Sequence, residues 1–373
     1  MYQPRFQYNN DVVKMLISIE RARVIVEMSP LSLEVEKELR HASKIKIAHY
    51  STRIEGNPLN LSEVSQAIMQ RKDREGSRAE QEVRNYWDAL SFLSTSKRMK
   101  IQISEKFIKR LHSIIEVRNS GRRHKESQYR GPMPPGVLFA VYDNETRQPE
   151  YIPPEATDVP LLMKEFIEWI NSETANKLPV PIKAAIAAYQ LLTIHPFEDG
   201  NGRTARALAT YILSTNGYDL KGFNSMEEYY FADLKGYYQN IQMGLPPLYY
   251  EGRNDPNDLE PWIKYFLNIM EKAFNKVLNQ IKKYSEREIN PRVKFLEPRE
   301  RKLIQLLLMK SGKITPMEIA KEFNVQSRTI TKWAVQWLEK GIIAPSSGEK
   351  RIRSYKIGAE YENITLEDLG YLE

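Results

Sequence analysis

Between His195 and Arg206 the chain reads His195-Pro196-Phe197-Glu198-Asp199-Gly200-Asn201-Gly202-Arg203-Thr204-Ala205-Arg206, which gathers a histidine, two carboxylates, two glycines around an asparagine, and two arginines. These residue types suit phosphate chemistry. Gly200, Asn201 and Gly202 let the backbone turn its amides toward an anion where a loop enters a helix at about Arg203, and the positive helix end adds to that attraction. Arg203 and Arg206, three apart on that helix, can grip neighbouring phosphates. Asp199 can hold a magnesium ion against the same phosphates, because Mg2+ takes one or two carboxylates together with phosphate oxygens. His195, just before the loop, can take a proton from an incoming hydroxyl. Phe197 has no acid–base role and is expected to anchor the loop in the core.

The same residues satisfy the loose dinucleotide pattern GxGxxG/A across Gly200-Asn201-Gly202-Arg203-Thr204-Ala205. Context argues against that reading. A dinucleotide site needs a strand directly before its glycines, whereas here an alanine-rich helical segment, a proline and two carboxylates come first. No Walker lysine pattern occurs. The chain has no cysteine, which excludes disulfides, thiolate nucleophiles and sulfur-bound zinc, and its five histidines form no HExxH pair.

The 373 residues allow two or three domains. Hydrophobic residues make up 41% and charged residues 28%, the balance of a globular chain. No run approaches the roughly 20 apolar residues of a membrane span, and the first residues do not read as a secretion signal. With the missing cysteines, this leads us to expect a cytoplasmic protein with no membrane partner. The net charge of +7 and pI of about 9.1 are compatible with a polyanionic partner without specifying one.

The elements that must position the loop read mostly as helix. Apolar spacing predicts a helix from Val12 to about Met28 and a second helical segment from about Leu33, the second or third helix ending in His49-Tyr50-Ser51-Thr52-Arg53-Ile54-Glu55-Gly56-Asn57-Pro58, then helices from Ser62 to Gln70, from Ala79 to Leu93 and from Ile103 to Val117. Gly56 is a C-cap candidate and Pro58 forbids continuation. Ser51 and Glu55 then share one face. Glu55 opposes the negative end of its helix, at a cost of about 0.3 to 1 kcal/mol when exposed, so a cationic partner is expected. Arg71 to Arg78 reads as a solvated charged loop, and Arg118-Asn119-Ser120-Gly121 as a turn. Val137-Leu138-Phe139-Ala140-Val141-Tyr142 has strand composition, with a turn at Asp143-Asn144-Glu145-Thr146 and a return strand at Glu150 to Pro154. This hairpin is either a connector or an edge for peptide pairing.

Helices follow from Val159 to Ser172, from Lys183 to Ile194 and from Arg203 to Asn216, the second apolar nearly all round and therefore central. Residues 223 to 243 carry Tyr229, Tyr230, Tyr237 and Tyr238 on one or two helices, and Trp262 to about Glu288 is a long amphipathic helix. A boundary is placed near Asn290-Pro291-Arg292. Beyond it, helices at Arg299 to Met309, Thr315 to Phe323 and Ser327 to Lys340, then a hairpin about Ser346 to Lys350, predict a winged helix-turn-helix. Ser327 is expected to cap its third helix. Arg328, Thr329, Thr331 and Lys332 would be exposed where recognition helices touch DNA.

His195 to Arg206 matches without departure the motif HxFx(D/E)GNGRxxR, and in this the chain resembles Fic-domain proteins. The resemblance covers about residues 40 to 245. It implies a mainly α fold, a helical bundle with a small β-hairpin flap. It also implies binding of ATP with Mg2+ and transfer of AMP to a protein hydroxyl. By position, His195 would be the general base and Asp199 the metal ligand. Gly200, Asn201, Gly202, Arg203, Thr204, Ala205 and Arg206 would hold ATP, with Arg206 nearest the terminal phosphate. Ser51 to Gly56 matches the family's inhibitory motif (S/T)xxxE(G/N), which makes Arg206 the expected partner of Glu55. Val137, Leu138 and Phe139 would belong to the flap that pairs with the target by strand addition. Tyr237 and Tyr238 resemble a pair lining the adenine side, and Tyr229 is grouped with them as an ATP-binding candidate, with helix packing as the alternative for all three.

The sequence therefore predicts three regions: residues 1–60 with the inhibitory helix, 61–290 as the catalytic core with the flap near 128–155, and 291–373 as the winged helix. The expected activity is AMP transfer from ATP to Ser, Thr or Tyr of a protein, including the chain itself, held in check by Glu55. The alternatives are a DNA-binding regulator whose core senses nucleotide, and removal of AMP with Glu55 positioning water. The carboxy-terminal module could bind DNA, dock a protein or pair two copies.

Overall fold

A computed structural model describes residues 2–29, 31, 33–69, 76–116, 126–142, 148–256, 258–286, 293, 295–310, 312–346, 352–366 and 368–369. The chain is mainly helical and divides into two units, Met1–Ile281 and Lys282–Glu373.

The first unit is a helical bundle: α1 (Asn10–Met28), α2 (Leu33–Ile54), α3 (Leu61–Met69), α4 (Arg78–Arg98), α5 (Glu105–Ile115), α6 (Val159–Ile170), the single turn α7 (Glu173–Asn176), α8 (Val180–Ile194), α9 (Asn201–Thr215), α10 (Glu227–Ala232), α11 (Leu234–Gln242) and α12 (Glu260–Glu286), of which the residues to Ile281 belong to this unit. The helix starts follow local chemistry. Asn9 accepts from the amides of Asp11 and Val12, Ser77 and Glu80 form a capping box, and Ser104 accepts from Phe107. α8 is buried around nearly its whole circumference, and its alanines at 184, 185, 187 and 188 let α9 pack closely along it. Trp262 of α12 fills the space beside them and donates its indole N–H to the Ala185 carbonyl at 2.8 Å. α2, α4 and α5 close the bundle around α9. α2 stops at a glycine: Gly56 has φ +90° and returns its amide to Arg53 at 3.0 Å.

The hairpin is shorter than its composition suggests. β1 (Val141–Tyr142) pairs antiparallel with β2 (Pro149–Tyr151), while residues 137–140 are irregular. Val137 spends its amide on the Pro134 carbonyl at 3.0 Å, in a turn where Gly136 has φ +81°, so it cannot start a ladder. On the other side Ile152 leaves the hairpin for the 247–249 segment, donating to Pro247 and accepting from Tyr249, each at 3.0 Å. The Asp143–Thr146 turn, Pro30, Arg71 to Glu75, Arg118 to Gly121, Asn290 to Arg292 and Ser347 to Lys350 lie outside the described residues.

The second unit holds α13 (Pro298–Met309), α14 (Pro316–Phe323) and α15 (Ser327–Glu339), with a three-stranded antiparallel sheet of β3 (Lys313–Ile314), β4 (Ile343–Pro345) and β5 (Tyr355–Ile357) in the order β3-β5-β4. Its own core includes Leu303, Ile304, Leu307, Ile319, Ile330 and Trp337. The two-residue β3 is too short to show an alternating pattern in sequence. Ser327 does not cap α15: Gln326 occupies that place without a side-chain bond, and Ser327 is the first helical residue. The turn before it explains the shift, since Asn324 adopts φ +53° and closes α14 before the chain re-enters helix.

Candidate functional site

The loop at the junction of α8 and α9

The loop begins where α8 ends. His195 closes α8 in the left-handed region, φ 49° and ψ 57°, with its amide bonded to Leu191 at 3.0 Å. A non-glycine residue held there indicates constraint from its surroundings. Arg130 supplies much of it: its Nε donates to the His195 carbonyl at 2.8 Å, its backbone amide to the Pro196 carbonyl at 2.9 Å, and its Nη2 to the Pro154 carbonyl. The His195 Nδ1 donates to the Leu192 carbonyl at 3.3 Å, which leaves the lone pair on Nε2. Burial pushes the imidazole from its usual 6.5 down to about 4, against an opposing contribution from the Leu192 bond. His195 is therefore neutral at pH 7 and able to accept a proton.

Phe197 is buried, stacked on the His112 ring with centroids 3.7 Å apart. Asn201 pins the loop: its Oδ1 accepts from the Phe197 amide at 3.0 Å and its Nδ2 donates to the Phe197 carbonyl at 2.9 Å. Its side chain is thus committed to the loop, and what Asn201 can offer an anion is its backbone amide. The helix starts two residues before the expected Arg203, at Asn201, because Gly200 reaches φ +75° and already accepts from Thr204 through both amide and hydroxyl. Ala205 is fully buried against the bundle.

Asp199 stands at the loop tip with its side chain 63% exposed, its Oδ1 accepting from the Gly200 amide at 2.6 Å and its Oδ2 from Arg203 at 3.1 Å. Arg203 is buried and its Nε lacks a hydrogen-bond partner. Below the loop, His112 donates from Nε2 to the Asp199 carbonyl at 2.7 Å and accepts the Ser127 hydroxyl on Nδ1 at 2.7 Å. Burial lowers the His112 pKa, which keeps this bridge neutral.

Arg206 is 4% exposed and fully engaged. Its Nε donates to Ser51 Oγ at 3.0 Å, its Nη2 to the Ser51 carbonyl and to Glu55 Oε1, both at 2.8 Å, and its Nη1 to the Tyr237 hydroxyl at 3.3 Å. Burial works against its charge, but Tyr237, Glu55 and Tyr86 outweigh it and hold the guanidinium above its ordinary value. Glu55 reaches over the start of α9: a Cβ on Gly202 would stand 2.3 Å from Glu55 Oε1 and 3.1 Å from Arg206 Nη1. An anion therefore already sits on Arg206, in the space that Gly202 leaves open. The same donors would suit phosphate oxygens as well as a carboxylate. Among the described residues no group of three or more His, Asp or Glu could hold a metal ion, so magnesium would need Asp199 together with phosphate oxygens.

Residues 102–213 match the model of the Fic/DOC family. The chain carries a Fic domain. A protein adenylyltransferase Fic from Drosophila mojavensis is 30% identical over 219 residues, which are 57% of this chain and 41% of the relative. That from Drosophila melanogaster is 31% identical over 185 residues, 48% of this chain and 35% of the relative. The chain thus spans about two fifths of the curated relatives it matches. Among solved structures, a Fic family protein from Desulfovibrio desulfuricans G20 superposes with a TM-score of 0.62 at 19% identity, over 96% of this chain and 99% of that one. Residues 134–508 of Fic-1 from C. elegans give 0.56 at 22% identity, over 73% of each chain. These structures share the fold.

Around the Fic loop, the three tyrosines separate. Tyr237 is buried among Tyr230, Trp262 and Tyr238 with its hydroxyl on Arg206. Tyr238 is partly exposed and donates to the Ile54 carbonyl at 3.3 Å, beside Glu55. Tyr229 turns to α12, with its hydroxyl 3.4 Å from the Lys272 carbonyl and the Lys276 ammonium 5.9 Å from its ring. Phe139 brings its ring to 6.0 Å from that of His195, whereas Val137 and Leu138 are exposed. In the second unit, Arg328 and Lys332 are exposed and Thr329 is half-buried along one stretch of α15. His112, Ser127 and Arg130 give no warning in the sequence. His112 and Arg130 act on the loop from 87 and 65 positions away, through backbone carbonyls that any residue would supply, and Ser127 acts through the His112 ring.

Proposed function

We propose that this chain is a protein adenylyltransferase that transfers AMP from ATP to a serine, threonine or tyrosine hydroxyl, and that Glu55 restrains it. The observation that carries this reading is Arg206 gripped by Glu55 over the start of α9, one helical loop away from a neutral His195 whose Nε2 lone pair is free of its backbone bond. The likeness to protein adenylyltransferases of Drosophila supports the same reading.

The amides at the start of α9, with Arg203 and Arg206, hold the phosphates. Asp199 would hold Mg2+, which supplies positive charge against the phosphate oxygens. His195 Nε2 takes the proton of the target hydroxyl as that oxygen bonds to the α-phosphorus. The bond between the α-phosphorus and the bridging oxygen breaks, and pyrophosphate leaves. Loop amides and arginines stabilise the charge on the departing group. Val137, Leu138 and Phe139, ahead of β1, hold the target segment. Glu55 competes with the terminal phosphate for Arg206, and its departure admits productive ATP.

Incubation with labelled ATP and magnesium tests this. Strong self-labelling is expected in Glu55→Gly, with none once His195→Ala is added. Absence of label in Glu55→Gly would sink the transferase, and release of AMP from modified protein faster than its transfer would favour the reverse reaction. For the second unit we propose DNA binding through Arg328, Thr329 and Lys332, supported by the exposure of both cations near the start of α15. A gel shift that weakens with salt and with Lys332→Ala is expected. Insensitivity to both would point to protein docking or pairing of two copies instead.

A further inference from the structure

Away from the loop, a cavity of about 510 Å3 opens between α2, α4, the carboxy-terminal part of α9 and the segment leading to Glu227. Its volume falls in the usual range of ligand sites, about 300 to 1,000 Å3. The lining is segregated by chemistry. Leu90, Leu93, Leu213 and Met226 form a buried apolar floor. Two acceptors stand beside it. Glu227 is only 3% exposed; its carboxyl is held by the amides of Met226 and Glu227 at the start of its own helix and by the Ser225 hydroxyl at 3.4 Å. Asn224 Oδ1 is buried with no hydrogen-bond partner. A buried acceptor without a partner, as at Asn224, is uncommon and calls for an explanation. Around these stand Arg40, Lys44, Lys97, Arg98 and Lys221 together with Glu27 and Asp219; Lys97 is paired with Asp219 at 2.6 Å and Lys221 with Glu36 at 3.0 Å, while Arg40 and Arg98 are exposed to solvent.

One wall of the cavity is strained. Leu220, Lys221 and Gly222 have φ of +48°, +58° and +83° in succession, a backbone run that side chains with a Cβ avoid. The run is held by cross-links: Lys221 Nζ donates to the Ser29 carbonyl and to Glu36, both at 3.0 Å, and Arg40 Nε donates to the Lys221 carbonyl at 2.9 Å. Strain maintained in this way gathers at binding sites. A second wall is shared, because Thr210, Leu213, Met226 and Glu227 also line the smaller cavity that contains Arg206 and Tyr237.

We propose that this cavity binds a small ligand of nucleotide or dipeptide size. Adjacent N–H donors at one end meet Glu227 and Asn224, an apolar or planar body rests on the leucines and Met226, and a phosphate or carboxylate lies beside the exposed guanidiniums of Arg40 and Arg98. The donor requirement separates this site from an ATP site. Guanine offers N1–H and its amino group side by side, and a dipeptide offers an ammonium. Adenine sets an acceptor nitrogen next to its amino group, and two acceptors would then face each other. The inference does not rest on AMP transfer, since it concerns binding alone.

Titration calorimetry on the intact chain tests it, with GMP and leucyl-leucine as the two sources of this chemistry and AMP as the contrast. One of the first two is expected to bind with a dissociation constant on the order of 10 µM, and AMP at least about tenfold more weakly, a difference of about 1.4 kcal/mol. Glu227→Gln, which replaces one acceptor oxygen by a donor, and Arg98→Glu, an exposed position that leaves the core untouched, should each weaken binding about tenfold or more. No heat from either ligand overturns the proposal. So does binding unchanged by Arg98→Glu, or GMP binding abolished by a saturating non-hydrolysable ATP analogue, which would assign it to the Fic loop.

Discussion

At the scale of single residues, the site depends on what burial does to one imidazole. His195 loses its proton at about pH 4 rather than 6.5 because the charged form is poorly solvated where it sits. For a general base the working form is the neutral one, present above the folded pKa and lost as pH falls through it. In the released Glu55→Gly protein, kcat/KM for self-labelling should therefore hold level on its acid side down to about pH 5 and fall only below that, in a profile measured with pyrophosphate release. An inflection near 6.5 would mean that His195 titrates as an ordinary histidine. The unfolded chain takes up the His195 proton first, so stability from this group declines as pH drops from 6.5 toward 4, and circular dichroism at each pH separates unfolding from titration. The loop's chemistry was legible because its types lie within twelve consecutive positions, 195 to 206. The second role of Asn201 was not. A side chain that satisfies both backbone groups of Phe197 has the same letters around it as one that points at a ligand. His112 and Arg130 were invisible for a related reason, since their partners are main-chain carbonyls brought near by the fold.

At the scale of elements, the end of α2 and the start of α9 meet at Glu55 and Gly202, and two substitutions there separate release from accommodation. Glu55→Gly removes the carboxylate and leaves the space above Gly202 open. Gly202→Ala also displaces the carboxylate, because its Cβ would come within 2.3 Å of Glu55 Oε1, but it fills part of that same space. Both variants should break the ion pair with Arg206, yet only Glu55→Gly should gain labelling, by about tenfold or more if restraint is worth at least 1.4 kcal/mol. Equal gains would show that the space above Gly202 is not where the phosphates lie. The helices themselves were readable from apolar period and caps. α8 showed its central place by being apolar all round, and α2 its stop by Gly56 and Pro58. The hairpin was over-read because strand composition at residues 137–140 says nothing of the Pro134 carbonyl that claims the Val137 amide, nor of the 247–249 segment that draws Ile152 away. Ser327 was misread for a similar reason: the turn at Asn324, rather than the nearest serine, decides where α15 begins.

At the scale of the whole chain, two units with separate buried clusters imply two cooperative folding events. Ile304 has no exposed surface in the second cluster, so Ile304→Ala should remove about 2 to 5 kcal/mol from that unit through lost burial and the cavity left behind. A unit of this size has about 5 to 15 kcal/mol in total, and the loss would shift its transition by many degrees. The first unit, whose core runs through α8, α9 and Trp262, has a buried cluster of its own and should melt where it did before. Scanning calorimetry of the full chain reads both transitions at once. Paired with a gel shift and ATP labelling in the Glu55→Gly background, the same variant assigns the two activities. If Ile304→Ala lowers one transition and abolishes DNA retention while labelling is unchanged, AMP transfer resides in the first unit alone. If labelling falls in step with the second transition, catalysis needs both units folded, and the Fic bundle is not the self-sufficient element its continuous core makes it out to be.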